Sequence, residues 1–133
     1  MLPEPPSILI TDDDAGFRQT LGELLAPWGF CTLQASDGRE ALDIVRSRDI
    51  HLMLLDMHMP RLTGLETIRE VKRFKSQLPC ILISGDLDET LRRQATAAEV
   101  FSILSKPVSG REITRVVKLA LRSAYNWSDF RPL

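Results

Sequence analysis

The stretch Ser7-Ile8-Leu9-Ile10-Thr11-Asp12-Asp13-Asp14 passes from a short apolar segment straight into three carboxylates. Its apolar residues are consecutive rather than alternating, which is the pattern of a strand covered on both faces. The next segment has a helical period. Phe17, Leu21, Leu24 and Leu25 fall on a single apolar stripe, and Pro27 and Gly29 end it. Asp14 reads as the N-cap of that helix, because a short acid before an amphipathic segment accepts hydrogen bonds from the first unpaired N–H groups. The chain therefore begins with strand, acid and helix, in that order.

The same unit recurs along the whole sequence. Strands are expected at about Ser7–Thr11, Phe30–Ala35, His51–Asp56, Pro79–Ser84 and Val100–Ser105. After the first helix, further helices are expected at about Gly38–Ser47 with Asp37 as cap, at Gly64–Lys75 and at Leu87–Ala97. A last one is expected at Ser109–Ala124, where Ser109 and Glu112 have the spacing of a capping box. Strict alternation of strand and helix predicts an α/β three-layer sandwich with a parallel five-stranded sheet. Right-handed crossovers leave few topologies. No glycine-rich dinucleotide fingerprint follows the first strand, so the flavodoxin-like (βα)5 order 2-1-3-4-5 is preferred over a Rossmann order. In that order the switch point lies between the first and third strands, which end on Asp12, Asp13 and Asp56.

At 133 residues the chain has the length of one domain. Residues 1–6 are read as an N-terminal extension, 7–124 as the domain, and 125–133 as a packed tail or the start of a linker. A net charge of -1 gives no electrostatic case for nucleic acid or an anionic membrane. No apolar run approaches the roughly 18 residues of a membrane span. The opening MLPEPPS lacks the basic-then-apolar start of a signal peptide, so a cytoplasmic protein is expected. Cys31 and Cys80 lie in apolar runs and read as small buried core residues. Met53, Met57 and Met59 read as packing.

The chemistry gathers at the carboxyl ends of the strands. Asp12 and Asp13 follow the first, Asp56 closes the third, Ser84-Gly85 the fourth and Lys106-Pro107 the fifth. Carboxylates crowded together repel one another unless a cation joins them, and an all-oxygen set suits Mg2+. A lysine ammonium and a serine hydroxyl can both meet phosphoryl oxygens, and Gly85 leaves room for a group to approach. One carboxylate can then act as a nucleophile and form an acyl phosphate.

With these residues in place, the sequence resembles the receiver domains of bacterial two-component response regulators. The resemblance covers about residues 7–122. It rests on Ile8 to Asp14, on Leu54-Leu55-Asp56-Met57-His58-Met59-Pro60 with Gly64 beyond, on Ile83-Ser84-Gly85, and on Leu104-Ser105-Lys106-Pro107. It implies a phospho-accepting switch rather than an enzyme, one that promotes only its own phosphorylation and dephosphorylation. Asp56 would accept the phosphoryl group from a histidine kinase or phosphotransfer protein, with Ser84 and Lys106 on the phosphoryl oxygens. Asp13 would hold Mg2+ directly, Asp12 through water, and Asp56 and the backbone carbonyl of His58 would complete the protein ligands. The Lys106-Pro107 peptide would be cis. The side chains of His58 and Asp86 would tune the lifetime of the acyl phosphate.

The sequence also departs from the family. Where an aromatic commonly serves as the switch, three residues before the lysine, this chain has Ile103. The nearest aromatic is Phe101, two residues earlier and therefore on the same face. The usual output face, made by the fourth helix, fifth strand and fifth helix, implies a homodimer or a downstream protein as partner, and Arg92, Arg93, Arg111 and Arg115 are expected near it. No DNA-binding module is read in the chain. Two other classes fit less well. A receiver-like interaction module that works without phosphorylation does not need every group that is present. A phosphatase of the haloacid dehalogenase kind wants an acid where this chain has His58.

Overall fold

The computed structural model describes residues 5–127. Five strands, β1 (Ser7–Thr11), β2 (Cys31–Ala35), β3 (Leu52–Asp56), β4 (Cys80–Ser84) and β5 (Ser102–Ser105), alternate with five helices, α1 (Ala15–Leu25), α2 (Gly38–Ser47), α3 (Gly64–Phe74), α4 (Glu89–Ala97) and α5 (Gly110–Tyr125). A 3-10 turn over Ala26–Trp28 extends α1. The strands form one parallel sheet in the order β2-β1-β3-β4-β5. This is the expected flavodoxin-like arrangement.

Alternation along each strand divides the consecutive apolar runs between two cores. Ile8, Ile10, Leu52, Leu54, Ile81 and Ile83 face the side that carries Leu21 and Leu25 of α1 and Ile113, Val117 and Leu121 of α5. Leu9, Met53, Leu55, Cys80 and Leu82 face the other side, against Ala41 and Val45 of α2, Ile68 and Val71 of α3 and Leu91 of α4. At roughly 1.5–3 kcal/mol for each fully buried aliphatic side chain, these two layers hold the sheet edge rigidly enough to present its acids. Among the described residues, no helix is long and apolar enough to cross a membrane.

Several sequence expectations are corrected. Cys31 is exposed while Cys80 is buried, because Cys31 opens the edge strand β2 and only β1 covers it in the sheet. Leu24 is exposed, one step round the helix from the buried Leu25. The complete capping box belongs to α3, not α5. The Thr63 hydroxyl accepts the Glu66 N–H at 3.1 Å and the Glu66 carboxylate accepts the Thr63 N–H at 2.9 Å. At α5 only the Ser109 hydroxyl half is formed. The caps Asp14 and Asp37 are as expected, and Asp88 caps α4, which is why that helix starts later than Leu87.

The C-terminal residues that can be described are packed. α5 reaches Tyr125, whose hydroxyl donates to the His51 carbonyl at 2.7 Å. Trp127 lies in the α1–α5 core with its ring 5.6 Å from that of Phe30. The expectations for residues 1–4 and 128–133 lie outside the described residues.

Candidate functional site

The site follows from parallel register. In a parallel sheet all carboxyl ends lie on one edge, and β1 and β3 are direct neighbours there, with Thr11 paired to Leu55. Asp12, Asp13 and Asp56 each bring a carboxylate oxygen within 4.8 Å of the others. Asp12 and Asp56 are buried and Asp13 is exposed. Next to β3, Asp56 pairs with Ile83, which sets the buried Ser84 one residue beyond. The Ser84 hydroxyl oxygen accepts the Asp86 N–H at 3.1 Å, so its own proton is available to another acceptor.

Lys106 enters from the far side. Its N–H donates to the Ser84 carbonyl, and the cis Lys106-Pro107 bond turns the chain away immediately after it. The ammonium lies 2.8 Å from Asp56 Oδ1 and 3.6 Å from Asp12 Oδ2. Burial alone would lower its pKa, but the hydrogen bond to Asp56 and the charges of Asp12 and Asp56 outweigh burial and hold it above the ordinary lysine value. Burial raises the pKa of Asp12. The Asp14 N–H, donated to Asp12 Oδ1 at 2.8 Å, offsets part of that, and the Asp56 charge adds to it.

The second oxygen of Asp12 is the most telling atom. Asp12 Oδ2 is buried and has no hydrogen-bond partner, although polar groups enclosed in proteins almost always have one. It belongs to a cluster of three carboxylates that only one described ammonium approaches. A buried carboxylate oxygen without a hydrogen bond, clustered with two further acids, belongs to the kind of donor set a hard divalent cation takes, so the residues fit Mg2+.

Two contacts at the site escape a sequence reading. Arg18 donates from Nη1 to the Asp12 carbonyl and from Nε to Gln34 Oε1, tying α1 and β2 to the acid loop. The Phe17 ring lies 4.6 Å from Lys106 Nζ, whereas its spacing marks it only as part of the apolar stripe of α1. The one signal in the sequence for Arg18 is its place one turn beyond Asp14. Gly64 is a third. A Cβ there would stand 2.3 Å from the Asp56 carbonyl oxygen, so α3 begins hard against the end of β3.

The remaining expected residues are placed less centrally. His58 and Asp86 are both exposed and approach each other, Nε2 to Oδ2, at 3.6 Å. Met53 and Met59 are buried and Met57 packs against the core. Ile103 and Phe101 line one small recess of about 180 Å³ with Ala95 and Thr96 of α4, which agrees with their shared face. Arg92 and Arg93 lie on α4. Arg111 and Arg115 do not join them but line a groove against α1, because they project from the side of α5 nearest that helix.

The sequence model of the response regulator receiver domain matches residues 8–118. This chain belongs to that family. The receiver is 32% identical over 123 residues to the response regulator RR06 of Streptococcus pneumoniae, covering 92% of this chain and 56% of that protein. It is 34% identical over 125 residues to the transcriptional regulatory protein CpxR of Escherichia coli, covering 92% and 51%. It thus spans about half the length of these curated relatives. Among solved structures, it superposes on the signal receiver domain of an HD domain-containing protein from Pseudomonas fluorescens with a TM-score of 0.86 at 28% identity, covering 92% of this chain and 98% of the other. The response regulator TrrA of Thermotoga maritima, crystallised in complex with Mg(2+)-BeF, matches at a TM-score of 0.79 and 28% identity, covering 87% and 99%.

Proposed function

We propose that this receiver is a phospho-accepting switch in which Asp56 is the phosphoacceptor. The observation that carries the reading is the burial of Asp56 at 4% exposure, between the Lys106 ammonium and the carboxylates of Asp12 and Asp13. A structural strand-end acid has no need of two more acids and a shared cation.

In this reading a carboxylate oxygen of Asp56 attacks the phosphorus of a phosphohistidine on a kinase or phosphotransfer protein. The new O–P bond forms as the P–N bond breaks, and the imidazole leaves with the electron pair. Asp12, Asp13, Asp56 and the His58 carbonyl would hold Mg2+, which supplies charge neutralisation for the phosphoryl oxygens. Lys106 follows the negative charge from the Asp56 carboxylate to a phosphoryl oxygen. Ser84, with its proton available, donates to another. The exposed His58–Asp86 pair stands beside the site and governs how readily water reaches the acyl phosphate. Release of Lys106 and Ser84 from their resting contacts alters β4, β5 and α4, where Ile103 and Phe101 share a recess, and so changes protein contacts on the α4–β5–α5 face. That face is the one offered to a second copy or a downstream protein. We place the receiver unit at residues 7–124 with Tyr125 to Trp127 packed on it, and its action in the cytoplasm. The Mg(2+)-BeF complex of the related TrrA supports the choice of ion.

The test is incubation with a small phosphodonor and Mg2+, read by intact mass. Gain of a single phosphoryl group, lost in Asp56→Asn and on chelation of the metal, is the expected result. No gain with any donor would make the chain an interaction module that works unphosphorylated.

A further inference from the structure

We infer that Phe17 is a positioning residue for phosphoryl transfer, its ring face holding the Lys106 ammonium where it can pass from the Asp56 carboxylate to a phosphoryl oxygen. The inference rests on the reading of Asp56 as the phosphoacceptor. Among the described residues, three groups approach that ammonium. Asp56 Oδ1 lies at 2.8 Å, Asp12 Oδ2 at 3.6 Å and the centroid of the Phe17 ring at 4.6 Å. The last distance is well inside the roughly 6 Å over which a cation is drawn to the negative face of an aromatic ring.

The lysine needs such a contact. Its backbone is anchored by the N–H bond to the Ser84 carbonyl and by the cis bond that follows, but a flexible four-carbon stem separates that anchor from Nζ. The side chain is 32% exposed, and the ion pair of a partly exposed lysine holds geometry only weakly. The 2.8 Å contact is also the one given up when negative charge leaves the Asp56 carboxylate for the phosphoryl group. The ring contact is not consumed in that step. A ring face attracts an ammonium without taking its N–H groups, so these stay available to phosphoryl oxygens. A third carboxylate in the same place would compete for them, and an aliphatic side chain would not attract the charge at all.

The ring is itself fixed to the acid loop. Phe17 lies in the first turn of α1, and its N–H donates to the Asp14 cap at 3.2 Å. The Asp14 N–H in turn donates to Asp12 Oδ1 at 2.8 Å, and Arg18 holds the Asp12 carbonyl. One short segment therefore sets both the Asp12 carboxylate and the Phe17 ring against Lys106. Phe17 also packs on the α1–α5 core. Any apolar residue on the stripe could supply that packing, so the face of the ring has to be tested apart from its bulk.

NMR of the metal-free protein reads the contact itself. Protons held over an aromatic face are shifted upfield, so the Lys106 ε-methylene signals should lie upfield in wild type and return to ordinary lysine positions in Phe17→Leu. Phosphoryl uptake from a small donor with Mg2+, followed by intact mass, reads the consequence. Phe17→Leu should slow uptake by about three- to tenfold, and Phe17→Tyr should restore it to within about twofold of wild type. Pentafluorophenylalanine in place of Phe17 keeps the shape of the ring but reverses the charge of its face, and should be as slow as Phe17→Leu. A wild-type rate in either the leucine or the pentafluoro protein overturns the proposal. So do Lys106 signals that Phe17→Leu leaves in place, since the ring is then core packing alone. A chain that takes up no phosphoryl group in any form refutes the reading of Asp56 instead, and the Lys106 signals then decide by themselves whether the ring holds the ammonium.

Discussion

Gly64→Ala tests how closely the phosphoacceptor strand and α3 are locked together. The added Cβ would meet the Asp56 carbonyl oxygen at 2.3 Å, the Asp56 carbonyl carbon at 3.0 Å and Leu82 Cδ1 at 2.8 Å. Ordinary C···O approach is about 3.3 Å or more, so backbone must give by about 1 Å. Leu82 is fully buried and has nowhere to turn. Overpacking of this kind costs about 1–3 kcal/mol. The Gly64 N–H to Met57 carbonyl bond, now 2.9 Å, is strained by the same movement and adds roughly 0.5–1.5 kcal/mol. Against this, the alanine loses less chain entropy on folding, worth about 0.4–1 kcal/mol. At the central values of these effects the net is a destabilisation of about 2.3 kcal/mol. With about 2.1 cal/mol/K of unfolding entropy per residue, the 133 residues convert this to a Tm lower by about 8 °C. Gly85→Ala is the control, because a Cβ there meets nothing within 4 Å, and its Tm should stay within about 3 °C of wild type. Thermal melts followed by circular dichroism decide the matter. A Gly64→Ala protein that melts with wild type, or a Gly85→Ala protein that falls as far, would refute the claim that α3 abuts Asp56. Because the clash is with the phosphoacceptor residue itself, phosphoryl uptake should also slow in Gly64→Ala.

Three further outcomes are expected. Asp12→Asn should melt above wild type at neutral pH without metal, and Mg2+ should stabilise it less, as calorimetry can show. The Asp12 pKa is raised above 3.8 by burial first. The folded state therefore holds the proton more tightly than the unfolded chain, and wild type loses stability as pH rises through that raised value. The advantage of the variant should accordingly close as pH falls toward 3.8, and an advantage independent of pH would contradict the assignment. Tyr125→Phe removes the 2.7 Å bond to the His51 carbonyl and should cost about 0.5–1.5 kcal/mol in urea melts at neutral pH. Burial, more than the nearby Asp49 charge, pushes the Tyr125 phenol up to about 12 from 10.0. Wild type keeps that contribution below pH 10 and loses it towards 12, so the two proteins should converge there. Trp127→Ala opens the contact with Phe30 and should lower stability by about 3–5 kcal/mol, whereas a melt equal to wild type would show residue 127 to be dispensable.

The fold is legible because its signals are local. Consecutive apolar residues such as Leu52 to Leu55, too few for a buried helix and alternating with amphipathic helices, fit a strand covered on both faces, and Asp14, Asp37 and Ser109 mark helix starts within a few residues of the N–H groups they accept from. Asp12, Asp13 and Asp56 are legible as neighbours for the same reason, since topology alone brings the ends of β1 and β3 together. The expected strand edges at Phe30, His51, Pro79 and Val100 lie one or two residues ahead of the observed starts at Cys31, Leu52, Cys80 and Ser102, because single hydrogen bonds, such as His51 N–H to the Ser7 carbonyl and Phe101 N–H to the Cys80 carbonyl, precede the paired ladder.

The order of elements, the sheet edge that carries the acids, and the types of group found there can all be read from the residues in chain order. Side-chain packing between elements sets the rest: which carboxylate oxygen goes without a hydrogen bond, that Arg18 grips the Asp12 carbonyl, that Phe17 lies over Lys106, and that Arg111 and Arg115 turn toward α1. Those facts depend on side chains from elements distant in the chain meeting at fixed angles, and periodicity along one element carries no information about what its neighbour presents.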